Sequence, residues 1–271
     1  MAAREQDLSS PLMLNSQNYY SPESDRAYMS NSQFKSFLEC EARTMAEIRG
    51  QWKEEPTEAM LVGSYLHAIV EGTQDQFRED NPSMFKKDGK PYAKFEQAEL
   101  MAKVILEDEF ASFVLKGEHE HIVAAQFGGV WWKAKLDVYN PKDGRIVDVK
   151  TVAKIRDKHW TADFGWASFV EAYGYVRQLA IYLELERIRA GRVSHFEPLI
   201  VAVSKEDPPD KEIIGLDADR IAFEIEQVKL QLPHIINVKH GLEEPKRCEK
   251  CKYCRASKRL SHIVHYMDLL S

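Results

Sequence analysis

The sequence predicts a mixed α/β domain: helices, then a three-strand meander, then a long helix and a further strand. Three observations lead there. Phe34, Phe37, Leu38, Met45 and Ile48 recur at helical spacing near the N-terminus. The period then changes, with β-rich runs at 122–127 and 130–139 joined by Gly128-Gly129, a hairpin turn signal. Finally, the run Pro198-Leu199-Ile200-Val201-Ala202-Val203 reads as a buried strand beyond a long helical stretch.

The elements follow in chain order. Residues 1–29 are polar, with Ser, Asn, Tyr and Pro, and read as a mostly extended lead-in. A first helix starts at Ser30 or Ser32, either of which can cap it, and runs to about Ile48. A second spans about Thr57 to Glu71. Residues 78–91, charged and holding Gly and Pro, read as a loop, and a third helix runs from about Tyr92 to Leu115. After the hairpin, Pro141-Lys142-Asp143-Gly144 makes a second tight turn into the strand Arg145–Val152. A long helix is expected over about 166–190, a strand over 195–204 and a last helix over 217–239. The expected organisation is one domain, 30–271, behind the lead-in. Its parts are a helical N-terminal section (30–115), a core (116–204) and a C-terminal helix with a cysteine-bearing tail (205–271).

With 271 residues, 44% of them hydrophobic, the chain can bury a sizeable core. The net charge of -6 argues against global affinity for polyanions but leaves room for a local basic groove. No apolar stretch is long enough to span a bilayer, and the first residues lack the apolar core of a signal peptide. The expectation is a soluble, cytoplasmic protein with no membrane partner. In a reducing compartment, its four cysteines suggest a metal or redox role.

The candidate chemistry centres on Asp137 and on Ile146-Val147-Asp148-Val149-Lys150. Positions two apart on a strand share a face, so Asp148 and Lys150 project side by side from an apolar segment. Burying two charges is costly unless they pair or bind something. A structural ion pair and a reactive site both meet that condition. Two further pairs flank the strands. Gly63 and His67 lie one turn apart on the second helix, and Gln178 and Tyr182 one turn apart on the helix after the strand.

Helix, meander with Asp on its second strand and Asp-x-Lys on its third, helix and strand together resemble the PD-(D/E)XK nuclease core. Gly63…His67 and Gln178…Tyr182 resemble the Gly-x-x-x-His and Gln-x-x-x-Tyr motifs of its RecB-like branch. The resemblance implies a Mg²⁺ (or Mn²⁺) site held by His67, Asp137, Asp148 and the Val149 carbonyl. Lys150 would position or activate the attacking water. Gln178 and Tyr182 would touch DNA near the scissile phosphate, and Glu71 would support His67.

Cys248-x-x-Cys251-x-x-Cys254 is a compact ligand run of the iron–sulfur kind, and Cys40 is the remaining cysteine. One plus three favours a [4Fe–4S] cluster; Zn²⁺, which also accepts four thiolates, is the alternative. The same arrangement occurs in iron–sulfur nucleases of the RecB-like branch, including CRISPR-adaptation nucleases. Ser30, Ser32, Phe34, Phe37 and Cys40 resemble the first cysteine helix of that branch, although Glu41 stands where it usually has proline.

No Gly-x-x-x-x-Gly-Lys-Ser/Thr loop is present, so no helicase activity is expected. With Tyr19-Tyr20-Ser21 leading towards the cysteine helix, the layout looks most like phage RecE-like exonucleases (exodeoxyribonuclease VIII type). That resemblance implies 5′-to-3′ digestion of one strand from a free end of double-stranded DNA. It also implies a single-strand annealing recombinase as partner, and it leaves a homo-oligomer open. Lys246, Arg247, Lys250, Lys252, Arg255, Lys258 and Arg259, with Lys154, Arg156 and Lys158, are candidates for phosphate contact. Trp131, Trp132, Trp160 and Trp166 are candidates for stacking on a DNA end or for core packing. A CRISPR-adaptation nuclease and a non-catalytic DNA-binding protein on this fold are the competing readings.

Overall fold

The computed structural model describes residues 11–162, 165–260 and 263–267. Its helices are α1 (Pro22–Ala27), α2 (Asn31–Glu39), α3 (Glu41–Ile48), α4 (Glu58–Glu71), α5 (Gln74–Asp80), α6 (Ala93–Leu106), α7 (Glu109–Val114), α8 (Phe169–Ala172), α9 (Tyr175–Ala190), α10 (Ala218–Lys239) and α11 (Lys252–Ala256). The strands are β1 (Glu118–Phe127), β2 (Val130–Asn140), β3 (Arg145–Val152), β4 (His159–Thr161), β5 (Gly165–Ala167), β6 (Glu197–Ser204) and β7 (Lys211–Gly215). Among the described residues, five strands form a mixed sheet in the order β1-β2-β3-β6-β7, parallel only between β3 and β6. The mixed α/β class and the helix–meander–helix–strand order are as the sequence predicts.

Helices cover both faces of the sheet, and strand alternation assigns the residues to each face. Ile146, Val152, Ile200 and Ala202 pack with Leu179 and Leu183 of α9 and with Val228 and Leu232 of α10. Val147, Val149, Val201 and Val203 pack with Val62 and Leu66 of α4 and with Phe95 and Met101 of α6. Strands buried on both faces read as continuous apolar runs, which is why β3 and β6 were legible.

Several boundaries differ from expectation, each for a local reason. The lead-in is not wholly extended: Ser21 caps α1, and Pro22 occupies the first turn. The helix expected to Ile48 breaks at Cys40, whose backbone is extended at φ −165° and ψ 103°. The 78–91 segment includes the end of α5 and a short 3₁₀ turn, Pro82–Met84. The third helix stops at Leu106 and restarts behind Asp108, whose carboxylate accepts from Phe110 and Ala111 N–H. The helix expected from Trp166 starts later. Trp166 lies in the β4–β5 hairpin, and Gly174 at φ 74° separates α8 from α9. The short, polar β7 was not anticipated.

The N-terminal segment completes the sheet where β3 leaves it. Met29 bridges to Trp132 of β2, with Met29 N–H donating to Trp131 O and Lys133 N–H donating to Met29 O. Lys133 Nζ donates to Tyr19 O, Ser24 Oγ and Asp25 Oδ1, fixing the segment from below. Lys239 of α10 donates to Asp25 O, Tyr28 O and Gln33 Oε1. Trp131 and Trp132 belong to this packing: Trp132 is buried against Phe34 and Phe127, and Trp131 meets Tyr28 edge-on. No described helix is long and apolar enough to cross a membrane.

Candidate active site

The site lies where strands β2 and β3 part. Their ladder pairs Asn140 with Arg145, Tyr139 with Ile146 and Val138 with Val147. One step further, Asp137 would face Asp148, but the pairing ends there. Asp137 is also missing from the β1–β2 ladder, opposite Glu120, whose φ is 55°. Side-chain alternation slips at this point. Leu136 packs on one face of the sheet, whereas Val138 packs on the other. The register is the same on both sides, so this is a one-to-one interruption of the ladder around the left-handed Glu120. Freed from both ladders, Asp137 turns its carboxylate to β3 and accepts from Val149 N–H at 2.8 Å. A strand residue sends its N–H and C=O to the same edge, so the Val149 carbonyl also opens into this fork.

His67 reaches the fork from α4. Its Nδ1 lies 3.5 Å from Asp137 Oδ2 and 3.8 Å from Glu71 Oε1, and the ring also interacts with the Val149 backbone. Gly63, one turn earlier, passes over β3: a Cβ added there would stand 3.5 Å from Thr151 Oγ1. Burial, aided by the Lys150 charge, lowers His67 to about 4. The imidazole is therefore neutral at ordinary pH, the form that can donate a lone pair to a metal.

Asp148 and Lys150 share the opposite face of β3. Lys150 Nζ lies 2.7 Å from Asp148 Oδ2 and 4.7 Å from the centre of the Tyr175 ring. Burial would lower the Lys150 ammonium, but Asp148 and Asp137 outweigh it and its pKa ends above the ordinary value. Burial pushes Asp148 up to about 6 against the pull of Lys150, and Asp137 also moves upward through burial.

Gln178 of α9 donates to Asp148 Oδ1 at 2.8 Å and to the Tyr182 hydroxyl at 3.1 Å. An amide NH₂ has two protons, and both are used inside the protein. Gln178 thereby holds the Asp148 carboxylate in place. Tyr182 lines the cleft.

The cleft has a volume of about 770 Å³ and is lined by His67, Asp137 and Tyr182 together with Tyr19, Tyr20, Glu71, Glu120 and Lys135. Sequence reasoning missed the contribution of Glu120 and Lys135, which form an ion pair at the mouth. Only the spacing of Lys135 two residues before Asp137 hinted at it. Burial, with Glu120 and Asp137 nearby, raises Glu71 to about 8, and its buried Oε1 has no hydrogen-bond partner. Crowded carboxylates, an orphaned carboxylate oxygen, a neutral imidazole and a free-edged carbonyl fit a hard divalent cation such as Mg²⁺ or Mn²⁺. His67, Asp137 and Val149 already lie together, whereas Asp148 is turned to Lys150 and Gln178.

The four cysteines converge where the α2–α3 junction meets the tail. The sulfurs of Cys40, Cys248, Cys251 and Cys254 all lie within 4.8 Å of one another, so the break in the first helix brings Cys40 to the tail. Cys251 N–H donates to Cys248 Sγ and Cys254 N–H to Cys251 Sγ. Backbone N–H groups of Lys250 and Cys251 hold the Cys248 thiol down at about 6 despite some burial. Four converging thiols with N–H donors at the sulfurs fit a thiolate-bound metal.

With this geometry in view, the comparisons with known proteins are specific. The family described as "PDDEXK-like domain of unknown function (DUF3799)" matches residues 30–257. This chain belongs to that family. The PDDEXK-like domain shares its fold with the crystal structure of a Eubacterium rectale protein provisionally named an exonuclease. The TM-score is 0.90 and the identity 36%, over 95% of this chain and 98% of that one. A further solved structure, that of SSO0001, overlaps with a TM-score of 0.29 and 17% identity over 82% of this chain and 91% of that one, which carries no argument. No functionally curated protein matches the sequence.

Proposed function

We propose that this PDDEXK-like protein is a Mg²⁺-dependent deoxyribonuclease that hydrolyses DNA from a free end. The observation that carries the reading is the open fork, where Asp137, His67 and the Val149 backbone meet beside the Asp148–Lys150 pair. A bound divalent cation, held by His67, Asp137, Asp148 and the Val149 carbonyl, would polarise the scissile phosphate and acidify a water. Lys150 would orient the attacking water and offset negative charge growing on the phosphate. Asp148 keeps Lys150 charged and in place, and Gln178 fixes Asp148 through Oδ1. Tyr182, which lines the cleft, would meet the DNA strand.

The finer reading is an exonuclease acting 5′ to 3′ on linear double-stranded DNA. It would leave 3′ single strands for an annealing recombinase, in the cytoplasm of a bacterium or a phage-infected cell. The RecE-like resemblance and the provisional name of the Eubacterium rectale protein support this. For the cysteines, the one-plus-three ligand run supports a [4Fe–4S] cluster tying the N-terminal helices to the tail. A second reading, Zn²⁺, is favoured by the sulfur spacing. The contacts of 3.6, 3.8 and 3.9 Å are close to the edge of a thiolate tetrahedron built on bonds of about 2.3 Å. Metal analysis and the visible spectrum of anaerobically purified protein separate the two. Digestion of linear duplexes labelled at the 5′ or the 3′ end, with Mg²⁺, tests the activity and its direction. Release of the 5′ label as mononucleotides supports the reading; intact duplex with either metal overturns it.

A further inference from the structure

The β4–β5 hairpin takes no part in the core, yet it displays two tryptophans. Trp160 and Trp166 are directly paired across the strands and are 69% and 68% exposed. Their rings meet edge to face, with centroids 5.7 Å apart. Trp160 lies over Gly165, where a Cβ would stand 3.7 Å from the indole. Gly165 has φ 69°, so a side chain there would also be strained. Cross-strand aromatic pairs support a hairpin, but two large rings left mostly in water are unusual for a purely structural role.

The other face of the hairpin leads to the catalytic lysine through a chain of rings. His159 packs on Tyr173 at 5.1 Å, Tyr173 on Tyr175 at 5.9 Å, and the Tyr175 ring carries Lys150 at 4.7 Å. Tyr173 is itself exposed, and Lys35 donates to its carbonyl. Lys154 and Lys158 lie exposed on the segment that joins β3 to the hairpin. Aromatic faces in a row, with ammonium groups beside them, match the chemistry of single-stranded nucleic acid, whose bases stack and whose phosphates need cations.

We propose that the Trp160–Trp166 hairpin is a stacking platform for unpaired bases of a DNA strand, which it guides past Tyr173 towards Lys150. The proposal rests on the nuclease reading, and its test is made without cleavage so that the two can fail separately. A fluorescein-labelled single-stranded oligonucleotide and a blunt duplex are titrated with the protein in Ca²⁺, with intrinsic tryptophan fluorescence read in parallel. The expected result is quenching by the single strand and its loss in Trp160→Ala/Trp166→Ala. The double variant should bind the single strand about tenfold or more weakly, as base–aromatic stacking implies. Trp160→Phe/Trp166→Phe should recover most of the affinity, which separates stacking from a folding defect. Unchanged single-strand affinity in the alanine variant overturns the platform even if Mg²⁺-dependent cleavage is intact. Equal loss in the alanine and phenylalanine variants also overturns it. Absence of both DNA binding and cleavage in the wild type overturns the platform and the nuclease reading together.

Discussion

Two buried lysines on neighbouring strands each meet an aspartate, and the two pairs behave differently in the fold. Lys133 on β2 is 2% exposed and meets Asp25 at 2.7 Å. Its three ammonium protons have three acceptors: Tyr19 O, Ser24 Oγ and Asp25 Oδ1. Lys150 on β3 is 15% exposed and meets Asp148 at the same 2.7 Å. Among the described residues its other neighbour is the Tyr175 ring, so the ammonium has hydrogen-bonding capacity left. The first pair is closed on protein; the second borders a fork in the sheet. A completely satisfied pair is structural cement, whereas an incompletely satisfied one beside orphaned carboxylates is a site awaiting a ligand.

The sharpest break between the two pairs comes from removing each lysine. Lys150→Ala should lower Mg²⁺-dependent cleavage per folded molecule by about a thousandfold, in the range lost with an electrostatic transition-state donor. Lys133→Ala should act on stability instead. Leaving the buried Tyr19 carbonyl and Ser24 hydroxyl without their donor costs about 1–3 kcal/mol in urea unfolding, and cleavage per folded molecule should stay within about fivefold.

Opening the cysteine site extends the contrast to a second closed element. Cys254→Ser should release the bound metal and the tail. The expected cost is about 2–5 kcal/mol, comparable with losing a long-loop cross-link, read as a lower melting temperature and faster proteolysis after about residue 240. Gln178→Ala should reduce cleavage about 10–100-fold at nearly unchanged stability, because it frees Asp148 Oδ1 rather than removing a reacting group. The smallest effect is on pH. Asp148 and Glu71 are raised to about 6 and about 8 from 3.8 and 4.5, so the metal-free fold favours their protonated forms. That stabilisation is complete below the ordinary values and fades as pH rises through about 6 and then about 8. Mg²⁺ relieves the ionised carboxylates, so the rise in melting temperature it produces should grow by a few degrees between about pH 6 and pH 8. A shift that shrinks with pH would contradict the assignment.

The central triple was legible because β3 is buried on both faces. In an apolar run of Ile146, Val147 and Val149, the charges of Asp148 and Lys150 stand out, and period two puts them on one face. His67 and Tyr182 followed from helical spacing. The ladder break at Asp137 was not legible, because it depends on the left-handed Glu120 across the ladder, a tertiary pairing. Nor was the break at Cys40. The local apolar pattern continues through it, and only the tail cysteines, some two hundred residues away, account for it. The Gln178–Asp148 hydrogen bond was not legible for a related reason, since one-turn spacing shows which face a residue occupies but not which partner it takes. Lys-Glu-Ile-Ile-Gly of β7 is too short and polar to announce a strand, and the Trp160–Trp166 hairpin was hidden inside what reads as the start of a helix.

The claim that most needs testing is that the open Asp148–Lys150 pair is catalytic while the closed Asp25–Lys133 pair is not. Linear end-labelled duplex should be digested with Mg²⁺ by wild type, Lys150→Ala and Lys133→Ala at equal concentrations of folded protein. The account predicts digestion by wild type and Lys133→Ala and none above background by Lys150→Ala. Digestion by Lys150→Ala at the wild-type rate would contradict it.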